Sequence, residues 1–233
     1  ILHPCGLIMF GGVRFVDLKI TDLHILNGAD GHSTYTMLFN FFADARKDIT
    51  DENINIPRVN LFEYTEQFDN AYWTKIRSTL VPNVVTGPFG EEADKLIDNA
   101  VNSSHELRAT VTLTSTGLYT YSIYTKKAEN NFLWIYSNAL NQGRFFNLFT
   151  GALGAIVNNA PTNSTIEALP DGRYRCSSTF NTVSLTPDLF VCGTALVNGT
   201  FNYVGSGTGI YVLGAQLEKH SIPTPYQKVA GAY

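Results

Sequence analysis

The chain has 233 residues, of which 44% are hydrophobic and only 15% are charged, and its formal net charge is −4. An average domain is about 25% charged; here threonine, asparagine, serine, glycine and tyrosine replace the missing charge, and this composition favours strands and loops over exposed helices. The length fits one large β domain, or one domain with an added segment. The acidic balance argues against a nucleic-acid-binding protein, which normally carries a basic face.

The sequence shows no signal for a membrane and no cysteine pattern for a metal. No apolar run reaches the ~20 residues that a membrane-spanning helix needs, so we expect no membrane insertion. Residues 1–16 lack the basic start and long apolar core of a signal peptide, and the first residue is Ile rather than Met, which leaves the true N-terminus open. Cys5, Cys176 and Cys192 have no CxxC spacing. We expect buried, reduced thiols, with a Cys176–Cys192 disulfide left open.

The start of the chain differs in pattern from the rest. Val13–Ile20 and Leu23–Leu26 are predicted to be short strands, with turn signals nearby. Thr34–Phe42 (TYTMLFNFF) is strongly apolar and aromatic, and a small segment of this kind needs a partner to cover it. Pro57 ends any regular element. We therefore predict a small β-rich segment over residues 1–55 that attaches the chain to another protein or makes an oligomer contact.

From residue 60 onward the pattern is that of strands. Asn60–Lys75 (NLFEYTEQFDNAYWTK) opens with period-2 alternation, which predicts a half-buried strand followed by a turn, and its Trp73 is assigned to the core. Further strands are predicted over Leu80–Thr86, Ala93–Ile97, His105–Leu113, Leu118–Lys126, Phe132–Ala139, Arg144–Phe149, Ala152–Val157, Arg173–Phe180, Leu189–Val197 and Thr208–Leu217. No convincing helical period appears in this part. The prediction is an all-β antiparallel β-sandwich, of jelly-roll type, over residues 60–229.

Five motifs in order resemble one family. They are NLFEYTEQFDNAYWTK, GPFGEEADKL (Gly87–Leu96), LYTYSIYTK, DGRYRCSSTF (Asp171–Phe180) and GAQLEKHSIPTPY (Gly214–Tyr226). Together they resemble the carbohydrate-binding-module-like jelly roll of bacteriophage virion proteins, of the tail-fibre, appendage or capsid-decoration type. The likeness covers about residues 41–226. It implies a structural protein on the virion surface, on capsid or tail, with other virion proteins and a host surface glycan as partners. We also expect a homo-oligomer, with a trimer as a candidate symmetry.

A glycan site is predicted in the middle of the chain. Sugars present apolar faces bordered by hydroxyl groups, so their sites combine exposed aromatic rings with polar side chains at the rim. Alternation in Phe132–Ala139 places Trp134 and Tyr136 on the face opposite Leu133 and Ile135. The predicted glycan-binding residues are Trp134, Tyr136, Tyr124, Asn138 and Arg144. The alternative is that Trp134 and Tyr136 lie in the core, with Leu133 and Ile135 outside.

Each candidate catalytic motif in the sequence lacks an essential residue. His105-Glu106 begins like the zinc-protease motif HExxH, but Ala109 stands in place of the second histidine. The glycine-rich Gly205–Gly209 (GSGTG) lacks the Lys-Ser/Thr of a phosphate loop and is predicted to be a flexible turn into the last strand. We therefore predict a protein that is not an enzyme, with no catalytic residue. Two alternatives stay open: a capsid decoration or knob protein with a purely structural role, and a polysaccharide depolymerase, which needs a carboxylate pair in a groove.

No cofactor is required by the sequence, but the resemblance makes calcium a candidate. Jelly rolls of this type frequently hold a structural calcium ion with acidic residues of the first and last strands. Glu66 and Asp69 are weak candidate ligands from the first of these. Gly214 stands near the place where an acidic ligand of the last strand is expected.

Overall fold

The computed structural model describes residues 60–86 and 92–231, together with the backbone of two short strands near the start of the chain. The chain divides into two compact units, Ile1–Ile56 and Pro57–Tyr233. In the first unit, β1 (Met9–Phe10) pairs antiparallel with β2 (Val13–Arg14).

Several sequence predictions fall on parts of the chain outside the described residues. They concern Cys5, the predicted strand Leu23–Leu26, the remainder of Val13–Ile20 and the apolar stretch Thr34–Phe42. The role predicted for residues 1–55 therefore stays a prediction.

The second unit is an antiparallel β-sandwich, as predicted. Its strands are β3 (Thr74–Ile76), β4 (Ser78–Thr86), β5 (Glu92–Asp98), β6 (Asn102–Ser103), β7 (His105–Val111), β8 (Gly117–Lys127), β9 (Phe132–Ser137), β10 (Gln142–Asn147), β11 (Ala152–Asn158), β12 (Asn163–Ala168), β13 (Tyr174–Thr182), β14 (Asp188–Ala195), β15 (Tyr203–Val204) and β16 (Gly209–Glu218). The first sheet has the order β11-β10-β9-β14-β7-β3, and the second has the order β12-β13-β8-β16-β5-β4. The short strands β6 and β15 pair with each other. No helix that is long and apolar enough to cross a membrane occurs in the described ranges.

Alternation along the strands separates the core from the outer faces. On β9, Leu133 and Ile135 face the core between the sheets, together with the inward side chains of the other long strands. Trp73 is 1% exposed and lies 4.9 Å from the ring of Phe62, so its assignment to the core is confirmed. Its indole Nε1 donates a hydrogen bond of 2.6 Å to the carbonyl oxygen of Tyr64.

The two described cysteines are buried free thiols. Cys176 and Cys192 face the core, and neither forms a disulfide. Burial raises the pKa of both thiols, to about 12 for Cys192. The thiols are therefore protonated at neutral pH.

The strand predicted at the start of Asn60–Lys75 is replaced by an irregular segment, whereas the turn predicted after it is present. Between residues 60 and 73 the only β contact in the described structure is an isolated bridge of Tyr64 with Ala230. The backbone is divided between two partners, because the amide of Leu61 donates to Leu217 and that of Thr65 donates to Val229. A strand ladder needs consecutive bonds to one neighbour. The segment nevertheless contacts the end of the chain, as predicted for the first and last parts of a sandwich.

The outer face of the second sheet combines hydroxyl and carboxylate groups with an apolar cluster around Tyr124, and the chain itself covers much of it. Residues 219–231, which we call the strap, lie across it. The hydroxyl of Thr120 donates to the carbonyl of His220 at 2.8 Å, and that of Thr179 donates to the carbonyl of Ser221 at 3.2 Å. The carboxylate of Glu218 accepts hydrogen bonds from the backbone amide and the hydroxyl of Thr224. The strap therefore satisfies polar groups that would otherwise be exposed to water.

Candidate functional site

The outer face of the first sheet contains a pocket of about 160 Å³, which we call the groove. It is lined by Glu106, Arg108, Trp134, Tyr136, Asn138, Val157, Asn158, Leu189, Val191 and Phe201. Register explains why these residues meet: β14 lies between β7 and β9, with Val191 opposite both Arg108 and Tyr136. Residues that are far apart in sequence thus share one face of the sheet.

Trp134 forms the floor of the groove. It lies opposite Gly193 on β14, and a Cβ at that glycine would stand 2.4 Å from the indole ring. Only glycine leaves room for the indole to cross the neighbouring strand. The indole Nε1 of Trp134 is buried and has no hydrogen-bond partner among the described residues.

A loop over residues 196–202, the covering loop, closes over this floor. The side-chain oxygen of Asn198 accepts a 2.7 Å hydrogen bond from the backbone amide of Ala155, which fixes the loop to β11. Phe201 then packs on Trp134 with 5.7 Å between ring centroids. Trp134 is 3% exposed as a result, so the expectation that it forms an exposed platform is wrong. The partly exposed aromatic side chains of the groove are Tyr136 and Phe201.

The opposite end of the groove has a rim of asparagines. The hydroxyl of Tyr136 donates to the side-chain oxygen of Asn141 at 2.6 Å, and the side-chain amide of Asn158 donates to the same oxygen at 2.7 Å. Asn141 and Asn158 have φ values of 54° and 56°, a left-handed conformation that asparagine tolerates better than most residues. Amide groups of this kind match the hydroxyl groups of a sugar.

Charged side chains lie along the outer face of β7. Glu106 is 4% exposed, and its carboxylate accepts a hydrogen bond from Nε of Arg108. Nη2 of Arg77 lies 3.8 Å from the other carboxylate oxygen. The buried carboxylate is thus compensated by two guanidinium groups, which a buried charge requires.

Three of the five predicted glycan-binding residues meet at the groove. Trp134, Tyr136 and Asn138 line it, on the face opposite Leu133 and Ile135, as predicted. The alternative, in which Leu133 and Ile135 lie outside the core, is wrong.

Tyr124 and Arg144 do not join the groove. Tyr124 lies on β8 of the second sheet, where it packs against Tyr226 of the strap with 5.8 Å between ring centroids. Arg144 pairs with Ile135, a core-facing residue, so it lies on the core side of the first sheet. The sequence places both near Trp134, but the pairing of strands separates them.

Sequence reasoning missed Glu106, Arg108 and Phe201. The alternation of Leu107, Ala109 and Val111 already indicated that Glu106 and Arg108 share the opposite face of β7. The sequence does not show that a single strand, β14, separates β7 from β9 in the sheet. Phe201 belongs to a loop, for which no periodic signal exists.

The glycine-rich turn holds an internal carboxylate. One oxygen of Asp98 accepts hydrogen bonds from the consecutive backbone amides of Ser206, Gly207 and Thr208, at 2.8, 2.8 and 3.0 Å. The other accepts from the hydroxyl of Tyr203 at 2.9 Å. Burial alone would raise the pKa of Asp98, but these hydrogen bonds outweigh it and the pKa lies below its usual value. The predicted turn into the last strand is confirmed, and the anion it binds belongs to the protein.

The candidate calcium ligands have other contacts. Glu66 forms an ion pair with Lys228 and accepts a hydrogen bond of 3.0 Å from the hydroxyl of Tyr226. Asp69 is exposed in a turn. In the part of the chain that the structure describes, no three acidic, histidine or cysteine side chains converge on one point. Calcium binding remains a prediction.

Comparison with known proteins gives structural likenesses alone. No protein-family model matches the chain, and no curated protein matches it. Among solved structures, the chain is similar to the enzymatically active domain of bacteriophage CBA120 tailspike protein 4, with 13% identity and a TM-score of 0.42 over 69% of this chain. That match spans only 21% of the tailspike domain.

Two further likenesses are to carbohydrate-binding structures. TmCBM61 in complex with β-1,4-galactotriose matches at 11% identity and a TM-score of 0.42, over 70% of this chain and 99% of that one. The carbohydrate-binding module of Cellvibrio mixtus lichenase 5A, in complex with cellotriose, matches at 9% identity and a TM-score of 0.33, over 71% and 98% of the two chains. Identities and TM-scores this low carry no argument about function, so the function is argued from the residues of the groove.

Proposed function

We propose that this chain is a non-enzymatic virion protein whose β-sandwich binds a host surface glycan in the groove of the first sheet. The observation that carries the proposal is the groove itself, in which the partly exposed rings of Tyr136 and Phe201 lie beside amide and guanidinium side chains. The buried Nε1 of Trp134 has no partner among the described residues, whereas buried polar groups are normally paired.

The dimensions of the groove suit one sugar residue. Its volume of about 160 Å³ is below the roughly 300–1,000 Å³ of pockets that hold drug-sized ligands. Phe201 bounds one end, and Asn138 and Asn158 bound the other. Tyr136 offers a partly exposed ring for the apolar face of a pyranose, and the two asparagines offer amide groups for its hydroxyls.

The charges of the groove favour binding over hydrolysis. Glycoside hydrolysis normally uses two carboxyl groups on either side of the scissile bond. Among the described residues that line the groove, Glu106 is the one carboxylate. It is held by Arg108 and Arg77, so it is poorly placed to transfer a proton.

The virion setting is supported by the sequence motifs. Five motifs in order, from Asn60–Lys75 to Gly214–Tyr226, resemble the jelly-roll module of phage appendages. In this proposal residues 1–55 attach the module to the capsid or tail, or form an oligomer contact. The sandwich is then displayed at the particle surface, where a host glycan is accessible.

Glycan binding is tested with a glycan array and titration calorimetry on the full chain. Tyr136→Ala is the informative variant, because Tyr136 is partly exposed whereas Trp134 is buried and its removal would disturb the fold. We expect Tyr136→Ala to weaken binding at least about tenfold, as for an aromatic side chain central to an interface. Tyr211→Ala is the matched control, since Tyr211 is a partly exposed tyrosine on the outer face of the second sheet. Undiminished binding by Tyr136→Ala would move the site away from the groove.

The virion setting is tested on purified particles. We expect the protein to be detected by mass spectrometry at a fixed copy number per particle, and deletion of residues 1–55 to abolish incorporation. Stoichiometric incorporation of the deletion variant would contradict the role of this segment. Incorporation together with no glycan binding would indicate a purely structural decoration protein.

A further inference from the structure

The charges around the groove do not balance. Arg77 and Arg108 both lie against the carboxylate of Glu106, two cations against one anion, so this group of three carries a net charge of +1. The described residues on the groove lining include no other acidic side chain. Two arginines thus stand against one carboxylate at this side of the groove, within a chain whose net charge is −4.

The two arginines differ in what they leave unpaired. Arg77 is held from behind: its Nε and Nη2 donate 2.8 Å hydrogen bonds to the carbonyl and hydroxyl oxygens of Ser104, and it does not line the groove. Arg108 lines the groove, and its Nε donates to Glu106. Neither terminal nitrogen of Arg108 has a hydrogen-bond partner among the described residues, and its side chain is 29% exposed. Arg108 is thus the arginine whose terminal donors are left for a ligand in the groove.

Guanidinium groups bind carboxylates with matched geometry. The two terminal nitrogens form a planar fork that suits the two oxygens of a carboxylate, and charge-assisted hydrogen bonds are stronger than neutral ones. The rest of the groove supplies aromatic side chains and neutral amides, which suit any sugar ring. Arg108 is the feature that would distinguish an acidic sugar from a neutral one.

We propose that the groove selects glycans that carry a carboxylate, such as uronic-acid polymers, and that Arg108 determines this specificity by binding the carboxylate. This inference rests on the proposed glycan-binding function and narrows its substrate class. Glu106 acts as a positioning residue, because its bond to Nε turns the remaining donors of Arg108 outward. Arg77 acts with it by neutralising the second oxygen of Glu106.

The test compares each acidic glycan with its own neutral form. Polygalacturonate, alginate and hyaluronan are presented to the full chain beside their carboxyl-reduced counterparts, which keep the ring and lose the charge. We expect an affinity for at least one acidic polymer that exceeds that for its reduced form about tenfold. Raising the salt concentration from about 0.05 to 0.5 M should weaken the acidic interaction alone, because the Debye length shortens.

Substitutions then assign the effect to Arg108. Arg108→Gln should lower the affinity for the acidic polymer about tenfold, and by clearly more than the affinity for its carboxyl-reduced form. Arg108→Lys, which keeps the charge but not the fork, should recover only part of it. Lys127→Gln is the matched control, because it removes one positive charge from an exposed residue that does not line the groove.

The outcomes distinguish the acidic specificity from glycan binding itself. Equal affinity for acidic and carboxyl-reduced forms, or undiminished acidic binding by Arg108→Gln, would overturn the acidic specificity and leave glycan binding in place. Binding to neutral glycans alone would do the same. No binding to any glycan, acidic or neutral, would overturn the glycan-binding function and this inference with it.

Discussion

The two outer faces of the sandwich carry similar polar residues but use them differently. On the second sheet, hydroxyl and carboxylate groups are buried beneath the strap and bonded to it. On the first sheet, the covering loop reaches across only part of the face, and the groove beside it keeps the terminal donors of Arg108 accessible. A polar face whose groups are satisfied by its own chain contributes stability. A polar face whose accessible donors lack partners, as at Arg108 in the groove, is available to a ligand.

The largest effect on stability is expected from a substitution under the strap. Glu218 is 3% exposed and accepts bonds from the backbone and hydroxyl of Thr224 and, at 2.7 Å, from the side-chain amide of Gln216. Glu218→Ala leaves these buried donors without an acceptor, and we expect the free energy of unfolding to fall by about 3 kcal/mol. Chemical denaturation of the full chain measures this change.

A control variant and a binding measurement complete that test. Glu167→Ala, at an exposed position of β12, should change the free energy of unfolding by less than about 0.5 kcal/mol. Glycan affinity of the folded Glu218→Ala protein should equal that of the unaltered chain, because the strap lies on the other sheet. A loss of glycan binding without a loss of stability would contradict the assignment of binding to the first sheet and of stability to the strap-covered second sheet.

An intermediate effect is expected at Asp94, on the second sheet. Asp94 is 2% exposed, one carboxylate oxygen has no partner among the described residues, and burial raises its pKa to about 6, with the charge of Asp69 adding to the rise and that of Lys75 opposing it. The unfolded value is about 3.9. Because the folded state binds the proton more tightly, stability is present below the unfolded pKa and is lost as the pH rises through about 6.

Asp94→Asn removes this dependence. The neutral amide can still accept the 3.0 Å hydrogen bond from the backbone of Asn83, so we expect the variant to be more stable than the unaltered chain by roughly 1–3 kcal/mol at pH 7.5, and the difference to vanish near pH 4. Denaturation curves between pH 4 and 8 measure it. A difference that grows as the pH falls would contradict the sign. Glycan affinity at pH 7.5 should be unchanged, which separates this side of the molecule from the groove.

The smallest effect on glycan affinity is expected at the rim of the groove. Asn158→Gly removes an amide that lines the groove while the glycine tolerates the positive φ at this position. We expect glycan affinity to fall about threefold, which corresponds to one neutral hydrogen bond of roughly 0.7 kcal/mol. Asn83→Gly is the control, since Asn83 has a φ of 58° but lies on the second sheet. Equal losses in both variants would show that backbone flexibility, rather than the lost amide, explains the change.

Much of the sandwich is predictable from alternation, and its exceptions have physical causes. The long strands β8, β13 and β16 lie close to their predicted ranges, because large apolar residues recur with a period of two along the face that enters the core. Their outer faces are largely buried as well. β12 was missed because Asn163–Ala168 is an edge strand with no fully buried side chain. The strand predicted at the start of Asn60–Lys75 does not form for a different reason, because its backbone hydrogen bonds are shared between two segments.

The candidate site was only partly visible before the strands were ordered in space. The sequence by itself determined the fold class, the core position of Trp73 and the face shared by Trp134 and Tyr136, since all three depend on local periodicity and hydrophobicity. Tertiary structure alone decided that Arg108 lies across β14 from Tyr136, that Tyr124 belongs to the other sheet, and that Phe201 covers Trp134. Strand order and loop placement depend on contacts between distant residues, and no local pattern in a single sequence encodes them.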